Sequence, residues 1–233
     1  MDHRIYKPEQ AGPVRGVLFD MDGLVLDTER LYARFWREAA RELGYEMTME
    51  QALGLRSLDD TAGQEMLERY FGPGASRERM RQIRIRRMEA YIDQNGVEPK
   101  KGIWALLDYL KERSIPTAIA TSSPIERAER YLGPLGLLDR FDCVCSGRQV
   151  ARGKPAPDIY LYAARCLGLS PKECIALEDS PAGIASAFQA GCRPVMIPDL
   201  DRPGPAVERM LFGLAEDLEA VIGLIEEGEK TAV

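Results

Sequence analysis

The sequence predicts an α/β protein whose parallel sheet is interrupted by an all-helical insertion. Short apolar segments without polar alternation, such as Val17-Leu18-Phe19, alternate with amphipathic segments from residue 99 onward. This alternation of apolar and amphipathic segments is typical of a parallel sheet covered by helices on both faces. The stretch 28–98 shows helical patterns and no strand candidate. We therefore expect a Rossmann-like core formed by residues 1–27 plus 99–233, with an inserted all-helical domain at 28–98.

Hydrophobic periodicity and turn residues predict the individual elements. The first helix is expected at 28–43, where Thr28 and Glu29 provide a capped start and Gly44 an end. The arginine-rich helix at 76–94 is expected to expose its arginines, because they scatter around an apolar stripe. The other expected helices are 48–53, 58–71, 103–113, 125–133, 157–167, 182–190 and 216–227. The expected strands are 17–19, 116–120, 142–145, 174–178, 193–197 and 211–214.

Composition restricts the classes of partner. The formal net charge of −6 argues against a nucleic-acid partner, which usually leaves a basic footprint. No segment approaches the roughly 18 uncharged apolar residues of a membrane span, and the N-terminus lacks a signal-peptide pattern. The single histidine, His3, lies in an expected tail, so histidine-based catalysis is not expected. We expect a cytoplasmic monomer that binds a small molecule, without a nucleic-acid or membrane partner.

Two carboxylates at the end of the first strand are the most informative feature. Asp20 and Asp22 follow the apolar run directly, and Gly23 comes next. In extended backbone an i, i+2 pair shares one face and lies roughly 6–7 Å apart. Ionised carboxylates are almost never buried without partners, so packing does not explain this placement. The pair suits a divalent metal, with one acid free to attack and the other free to move a proton.

Polar residues also follow the later strands. In open α/β sheets ligands bind outside the carboxyl ends of the strands, so these residues should converge on the first-strand acids. Thr121, Ser122 and Ser123 are three small hydrogen-bond donors that can hold an anion at a helix N-terminus, and Lys154 can hold a phosphate as a point charge. Glu178 and Asp179 add two carboxylates. The alternative roles are helix capping for Thr121, Glu178 and Asp179, and a surface position for Lys154.

Together these residues resemble, in order, the four signatures of the haloacid dehalogenase superfamily. The matching signatures are Asp20-x-Asp22-Gly23, Thr121, Lys154 and Glu178-Asp179. The chain looks most like the β-phosphoglucomutase-like branch and its phosphatases for hexitol, deoxyglucose or pseudouridine phosphates. Three segments carry that closer likeness: Gly54-Leu55-Arg56, Ala120-Thr121-Ser122-Ser123 and Leu177-Glu178-Asp179-Ser180. In this family the helical insertion is a small cap domain, whose closure is expected to exclude bulk water.

The resemblance implies a role for each matching residue. Asp20 would attack phosphorus and form an aspartyl phosphate, while Asp22 would act as general acid and base. Thr121 and Lys154 would bind the phosphoryl oxygens. Mg²⁺ would be held by Asp20, the backbone carbonyl of Asp22 and Asp179, with Glu178 either a ligand or a group behind the ligands.

The expected activity is therefore a Mg²⁺-dependent phosphatase of a sugar, polyol or nucleoside phosphate, a small-molecule phosphate ester. One alternative is a β-phosphoglucomutase-type mutase, but Tyr32 stands where those mutases carry a cap histidine. A second alternative is a catalytically silent protein that uses the fold to bind a ligand. In the cap domain, Arg56 is either a substrate-binding residue or a surface arginine.

Overall fold

The computed structural model describes residues 13–56, 58 and 60–231, so the N-terminal segment with His3 lies outside the described residues. The described residues form two compact units: those up to Leu26 together with those from Pro99 onward, and those of Asp27–Glu98. This division differs from the boundaries expected from the sequence only in the assignment of Asp27. No helix in the described part of the chain is long and apolar enough to cross a membrane.

The first unit contains a six-stranded sheet. Its strands are β1 (Gly16–Phe19), β2 (Thr117–Thr121), β3 (Cys143–Ser146), β4 (Cys174–Glu178), β5 (Arg193–Met196) and β6 (Gly213–Leu214). They lie in the order β3-β2-β1-β4-β5-β6, and every neighbouring pair is parallel. This is the order of a Rossmann-like sheet, so the predicted α/β class is confirmed. Strand β1 lies between β2 and β4, at the point where the strand order reverses.

Ten α-helices are present among the described residues. The helical unit contains α1 (Thr28–Glu42), α2 (Met49–Gly54), α3 (Asp60–Phe71) and α4 (Arg77–Asn95). The α/β unit contains α5 (Ile103–Glu112), α6 (Ile125–Leu132), α7 (Asp158–Cys166), α8 (Pro181–Ala190), α9 (Pro205–Glu208) and α10 (Val221–Thr231). Thr48, Ser76 and Ser180 begin α2, α4 and α8, because each side chain accepts a hydrogen bond from a backbone N–H of the first turn.

Helices α7 and α8 cover one face of the sheet. Leu18 of β1 stands opposite Ala118 of β2 and Ala176 of β4, and all three are buried in one cluster with residues of these two helices. The small alanine side chains let the helices approach the strands closely. The helices that follow β3 and β4 are thereby fixed against β1.

The expectation that the arginines of α4 are solvated is wrong for two of them. Arg77 and Arg84 are buried, on the same stripe as Met80. The guanidinium carbon of Arg84 lies 4.7 Å from the centre of the Tyr32 ring and 5.3 Å from that of Trp36. Stacking on aromatic faces allows a guanidinium to be buried where an ammonium would not be.

The C-terminal region departs most from the expected elements. The last helix begins at Val221 and not near 216, because the Asp217 side chain accepts a hydrogen bond from Ala220 N at 3.0 Å and pairs with Lys101 at 2.8 Å. Such side-chain bonds to nearby backbone compete with helix formation. The short helix α9 was not expected, and β6 is only two residues long.

Candidate active site

The candidate site lies at the carboxyl edge of the sheet, around the end of β1. Asp20 follows β1 directly, and its backbone N–H donates to Leu177 O in β4 at 3.0 Å. Glu178 therefore ends the neighbouring strand beside Asp20, and Asp179 is the next residue. Thr121 ends β2 on the other side of β1. The parallel register thus brings residues far apart in sequence to one edge.

Lys154 lies at the centre of this group. Its ammonium nitrogen donates to Asp20 Oδ1 at 2.5 Å and to Glu178 Oε1 at 2.6 Å. A third bond, to Ala120 O, measures 2.9 Å. All three protons of the ammonium are therefore used, which fixes its position. The Lys154 side chain is only 8% exposed, so the alternative of a surface lysine is wrong.

Burial dominates the electrostatics of the cluster. It raises the pKa of Asp20 to about 8, while Lys154 opposes this rise and Glu178 adds to it. Burial also works to lower the pKa of Lys154, but Asp20 and Glu178 outweigh it, so the pKa lies above its ordinary value and the side chain stays charged. One ammonium does not balance the surrounding carboxylates. A second positive charge beside Asp20 would lower its pKa and favour the ionised carboxylate.

Three carboxylates of the cluster lie close enough together to hold a metal ion. One oxygen each from Asp20, Glu178 and Asp179 lies within 4.8 Å of the others, and all three residues are buried. Oxygen ligands from a few carboxylates are what Mg²⁺ prefers, with water and substrate phosphate in the remaining positions. The donor set therefore fits a divalent cation, whose charge would also favour the ionised form of Asp20.

Glu178 is held by residues that the sequence analysis did not identify. Tyr160 Oη donates to Glu178 Oε1 at 2.6 Å, and Ser180 Oγ donates to Glu178 Oε2 at 3.1 Å. Burial and the Glu178 charge raise the pKa of Tyr160, so its hydroxyl keeps the proton that it donates. A Cβ atom added to Gly183 would lie 1.9–2.0 Å from the Glu178 carboxyl group. The orientation of Glu178 is thus fixed from three sides.

Ser123, in the loop after β2, contacts Asp22. Ser123 Oγ donates to Asp22 Oδ2 at 2.8 Å, and Thr121 Oγ1 accepts from Ser123 N at 3.0 Å. Thr121 and Ser123 are buried, whereas Ser122, the serine selected from the sequence, is exposed. The sequence analysis placed an anion-binding loop here without identifying the serine that contacts Asp22.

Arg56 lies within the helical unit and is held by neighbours there. Its Nε donates to Leu53 O at 3.4 Å, and its Nη1 is 3.8 Å from Glu29 Oε2. The side chain is only 14% exposed, so it is not an ordinary surface arginine. Its part in substrate binding stays a prediction.

Comparison with known proteins identifies the family. The pattern of the haloacid dehalogenase-like hydrolases matches residues 14–191. Hexitol phosphatase A of Escherichia coli K12 is 34% identical over 189 residues, which is 78% of this chain and 82% of that protein. The "Probable pseudouridine-5'-phosphatase" of Drosophila melanogaster is 35% identical over 191 residues, 78% of this chain and 80% of that protein.

A solved structure agrees with this result. The crystal structure of a HAD family hydrolase from Deinococcus radiodurans R1, with bound phosphate and sodium, superposes with a TM-score of 0.78 at 25% identity. The match covers 93% of this chain and 97% of that chain. The chain therefore belongs to the haloacid dehalogenase-like hydrolase family.

Proposed function

We propose that the protein is a Mg²⁺-dependent phosphatase that hydrolyses a small phosphorylated metabolite through an aspartyl phosphate on Asp20. Family membership and the phosphatase names of the relatives support phosphoric monoester hydrolysis. The observation that carries the proposal is the contact of Lys154 with both Asp20 and Glu178, beside the Asp179 carboxylate. A buried ammonium and a buried acid cluster at one sheet edge suit an anionic ester.

Each residue of the core site has a proposed role in two steps. In the first step an oxygen of Asp20 attacks phosphorus, and the bond to the leaving oxygen breaks as Asp22 protonates that oxygen. In the second step Asp22 takes a proton from water, which attacks phosphorus and releases Asp20. Thr121 and Ser122 bind the phosphoryl oxygens through hydroxyl and backbone N–H groups, and Lys154 attracts the phosphoryl group as a point charge beside Asp20.

Mg²⁺ would be held by Asp20, Asp179 and the backbone carbonyl of Asp22. The oxygens of Glu178 already accept hydrogen bonds from Lys154, Tyr160 and Ser180, which supports a position behind the direct ligands. When bound, the ion supplies positive charge against the developing charge of the phosphoryl group.

The need for this positive charge follows from Coulomb's law. Two like unit charges 4 Å apart repel by about 4 kcal/mol at an effective dielectric constant near 20. A barrier higher by that amount slows a reaction roughly a thousandfold. The Asp20 carboxylate must approach a phosphate dianion. The positive charge of Lys154 reduces the repulsion between these two negative groups.

The proposed substrates are sugar, polyol and nucleoside phosphates. The names of relatives that act on hexitol and pseudouridine phosphates support this class. The helical unit, residues 28–98 in the sequence analysis, is proposed to act as the cap domain that selects the leaving group, with Arg56 as one contact. Replacing Arg56 is thus expected to alter the preference among substrates more than the chemistry at Asp20.

The test is phosphate release from p-nitrophenyl phosphate and from a panel of sugar, polyol and nucleoside monophosphates, with MgCl₂ or with EDTA. The wild-type protein should release phosphate with MgCl₂ and lose this activity in EDTA. Asp20→Asn should abolish turnover while circular dichroism and the thermal midpoint remain those of a folded protein. Asp139→Asn, at an exposed carboxylate near the opposite edge of the sheet, is the matched control and should retain activity.

Two results would contradict the proposal. Turnover by Asp20→Asn above a few per cent of the wild-type rate would exclude Asp20 as the nucleophile. Interconversion of glucose phosphates without free phosphate would indicate the mutase, and no reaction with any ester would favour a silent binding protein.

A further inference from the structure

Ser123 is held more tightly than any capping role requires. It is 7% exposed and lies in the loop between β2 and α6. Its backbone N–H donates to Thr121 Oγ1 at 3.0 Å, and its carbonyl accepts from Ser146 Oγ at 2.7 Å. Its hydroxyl makes two further bonds, one to Asp22 at 2.8 Å and one from Arg127 at 3.3 Å. Both the backbone and the side chain of Ser123 are therefore fixed.

Arg127 determines the direction of the Ser123 hydroxyl. A guanidinium group only donates hydrogen bonds, so Arg127 Nη1 occupies a lone pair of Ser123 Oγ. The single hydroxyl proton is then available for Asp22 Oδ2. The three side chains form a chain of donors that runs from Arg127 through Ser123 to Asp22.

This chain makes the two oxygens of Asp22 different. Oδ2 accepts the bond from Ser123, whereas Oδ1 is buried and has no hydrogen-bond partner among the residues that the structure describes. A buried polar atom left without a partner costs free energy, so such atoms are rare in folded proteins. A group that arrives with the substrate would satisfy Oδ1.

From this geometry we propose that Ser123 is a positioning residue that orients Asp22 so that Oδ1 exchanges the proton with the leaving oxygen. The inference rests on the proposed phosphatase function, in which Asp22 is the general acid. Ser123 acts through Asp22, and Arg127 acts through Ser123. The sequence offered two adjacent serines, and only the fold distinguishes them.

A purely structural role for Ser123 makes a different prediction. If the serine only stabilised the loop, its loss would slow all phosphate esters by a similar factor. If it orients the general acid, its loss should slow an ester with a poor leaving group more than one whose leaving group needs no proton. Phenyl phosphate and p-nitrophenyl phosphate form a suitable pair, because they are similar in shape and p-nitrophenolate leaves more readily.

The experiment measures kcat/KM for both esters in the wild-type protein, Ser123→Ala, Asp22→Asn and the double variant, with MgCl₂. In Ser123→Ala, the loss of kcat/KM should be about tenfold larger for phenyl phosphate than for p-nitrophenyl phosphate. This factor is smaller than the 10²–10⁴-fold acceleration that general acid catalysis typically provides, because Asp22 itself is still present. Asp22→Asn should show a larger selective loss. In the Asp22→Asn background, Ser123→Ala should add no further selective loss.

Two further variants make the test specific. Ser123→Cys keeps a weaker donor of similar size and should give an intermediate ratio. Thr117→Val removes a buried hydroxyl at the opposite end of β2, where Thr117 Oγ1 lies 3.4 Å from Arg140 O, and should leave the ratio unchanged.

Equal losses for both esters, or a selective loss that persists in the Asp22→Asn background, would overturn the role of Ser123. Activity retained by Asp20→Asn would overturn the proposed function instead. The two failures are thus separable.

Discussion

The two units of the protein bury positive charge in different ways. In the α/β unit, Lys154 contacts two carboxylates directly, at 2.5 and 2.6 Å. In the helical unit, Arg77 and Arg84 lie against aromatic rings, with guanidinium carbons 5.7 and 5.3 Å from the centre of the Trp36 ring. Both groups of cations are buried, but the carboxylates that contact Lys154 are buried as well, whereas the Asp60 carboxylate beside Arg77 is exposed.

This difference indicates which buried charges are suited to chemistry. Stacking on a ring contributes about 0.5–2 kcal/mol and does not require a buried carboxylate. A buried ion pair is costly to assemble and becomes strongly unfavourable when one partner is removed. A fold that retains the second arrangement at the edge of a parallel sheet holds reactive groups there. Burial of a charged side chain alone therefore does not identify a site.

Removal of Lys154 tests this contrast most severely. Lys154→Met leaves Asp20 and Glu178 buried without their cation, which should lower the free energy of unfolding by about 3–5 kcal/mol. Phosphate release should fall by about 10²–10³-fold, a loss comparable with removing one group that stabilises the charge of the transition state. Urea unfolding in EDTA and p-nitrophenyl phosphate turnover with MgCl₂ measure the two effects.

The matched control is Lys101→Met, which removes a lysine from an exposed pair with Asp217. Exposed pairs contribute little, so both stability and turnover should change only slightly. Lys154→Arg should be as inactive as Lys154→Met. A planar guanidinium cannot direct three protons at Asp20, Glu178 and Ala120 as the ammonium does. Full activity in Lys154→Arg would show that only the charge matters.

A smaller perturbation of the same network is available at Gly183. Gly183→Ala places a Cβ atom 1.9 Å from the Glu178 Cδ position, so the Glu178 carboxyl group must shift from its place beside Lys154. Displacement of a catalytic group by about 1 Å can cost about 10²-fold, and we expect a loss of turnover of about 10–10²-fold. Gly204→Ala is the control, because nothing lies within 4 Å of its added Cβ atom. Equal activity in both variants would show that Glu178 need not be fixed.

The sequence was sufficient to predict the group at the carboxyl edge of the sheet. Asp20, Lys154 and Glu178 each adjoin the end of a strand or the loop that follows one, and in a parallel sheet those positions meet by topology. Their residue types then suggest the chemistry. The structure brings these side chains together, while their catalytic roles stay predictions until activity is measured.

Other contacts depended on details that periodicity does not contain. The exposure of Ser122 and the burial of Ser123 depend on the turn after β2, in which Ser123 N bonds to Thr121 Oγ1. Tyr160 looks like one more apolar residue of α7, and only its packing against the sheet reveals the bond to Glu178. Arginines on an amphipathic helix are read as solvated, because a sequence pattern does not show which aromatic rings will face them.

The smallest effect is expected from the buried arginine of the helical unit. Arg77 Nη2 donates to Leu58 O at 2.9 Å, its Nε lies 3.4 Å from the exposed Asp60 carboxylate, and Gly63 leaves room for its guanidinium. Arg77→Met fills much of the same volume but leaves the Leu58 carbonyl unpaired, so the free energy of unfolding should fall by about 1–3 kcal/mol. Turnover of p-nitrophenyl phosphate well below the unfolding temperature should stay within about twofold of the wild-type rate, since only the network at Asp20 is proposed to act on the phosphoryl group. If folded Arg77→Met lost as much activity as Lys154→Met, the proposal that only the buried cation at Asp20 serves the chemistry would be wrong.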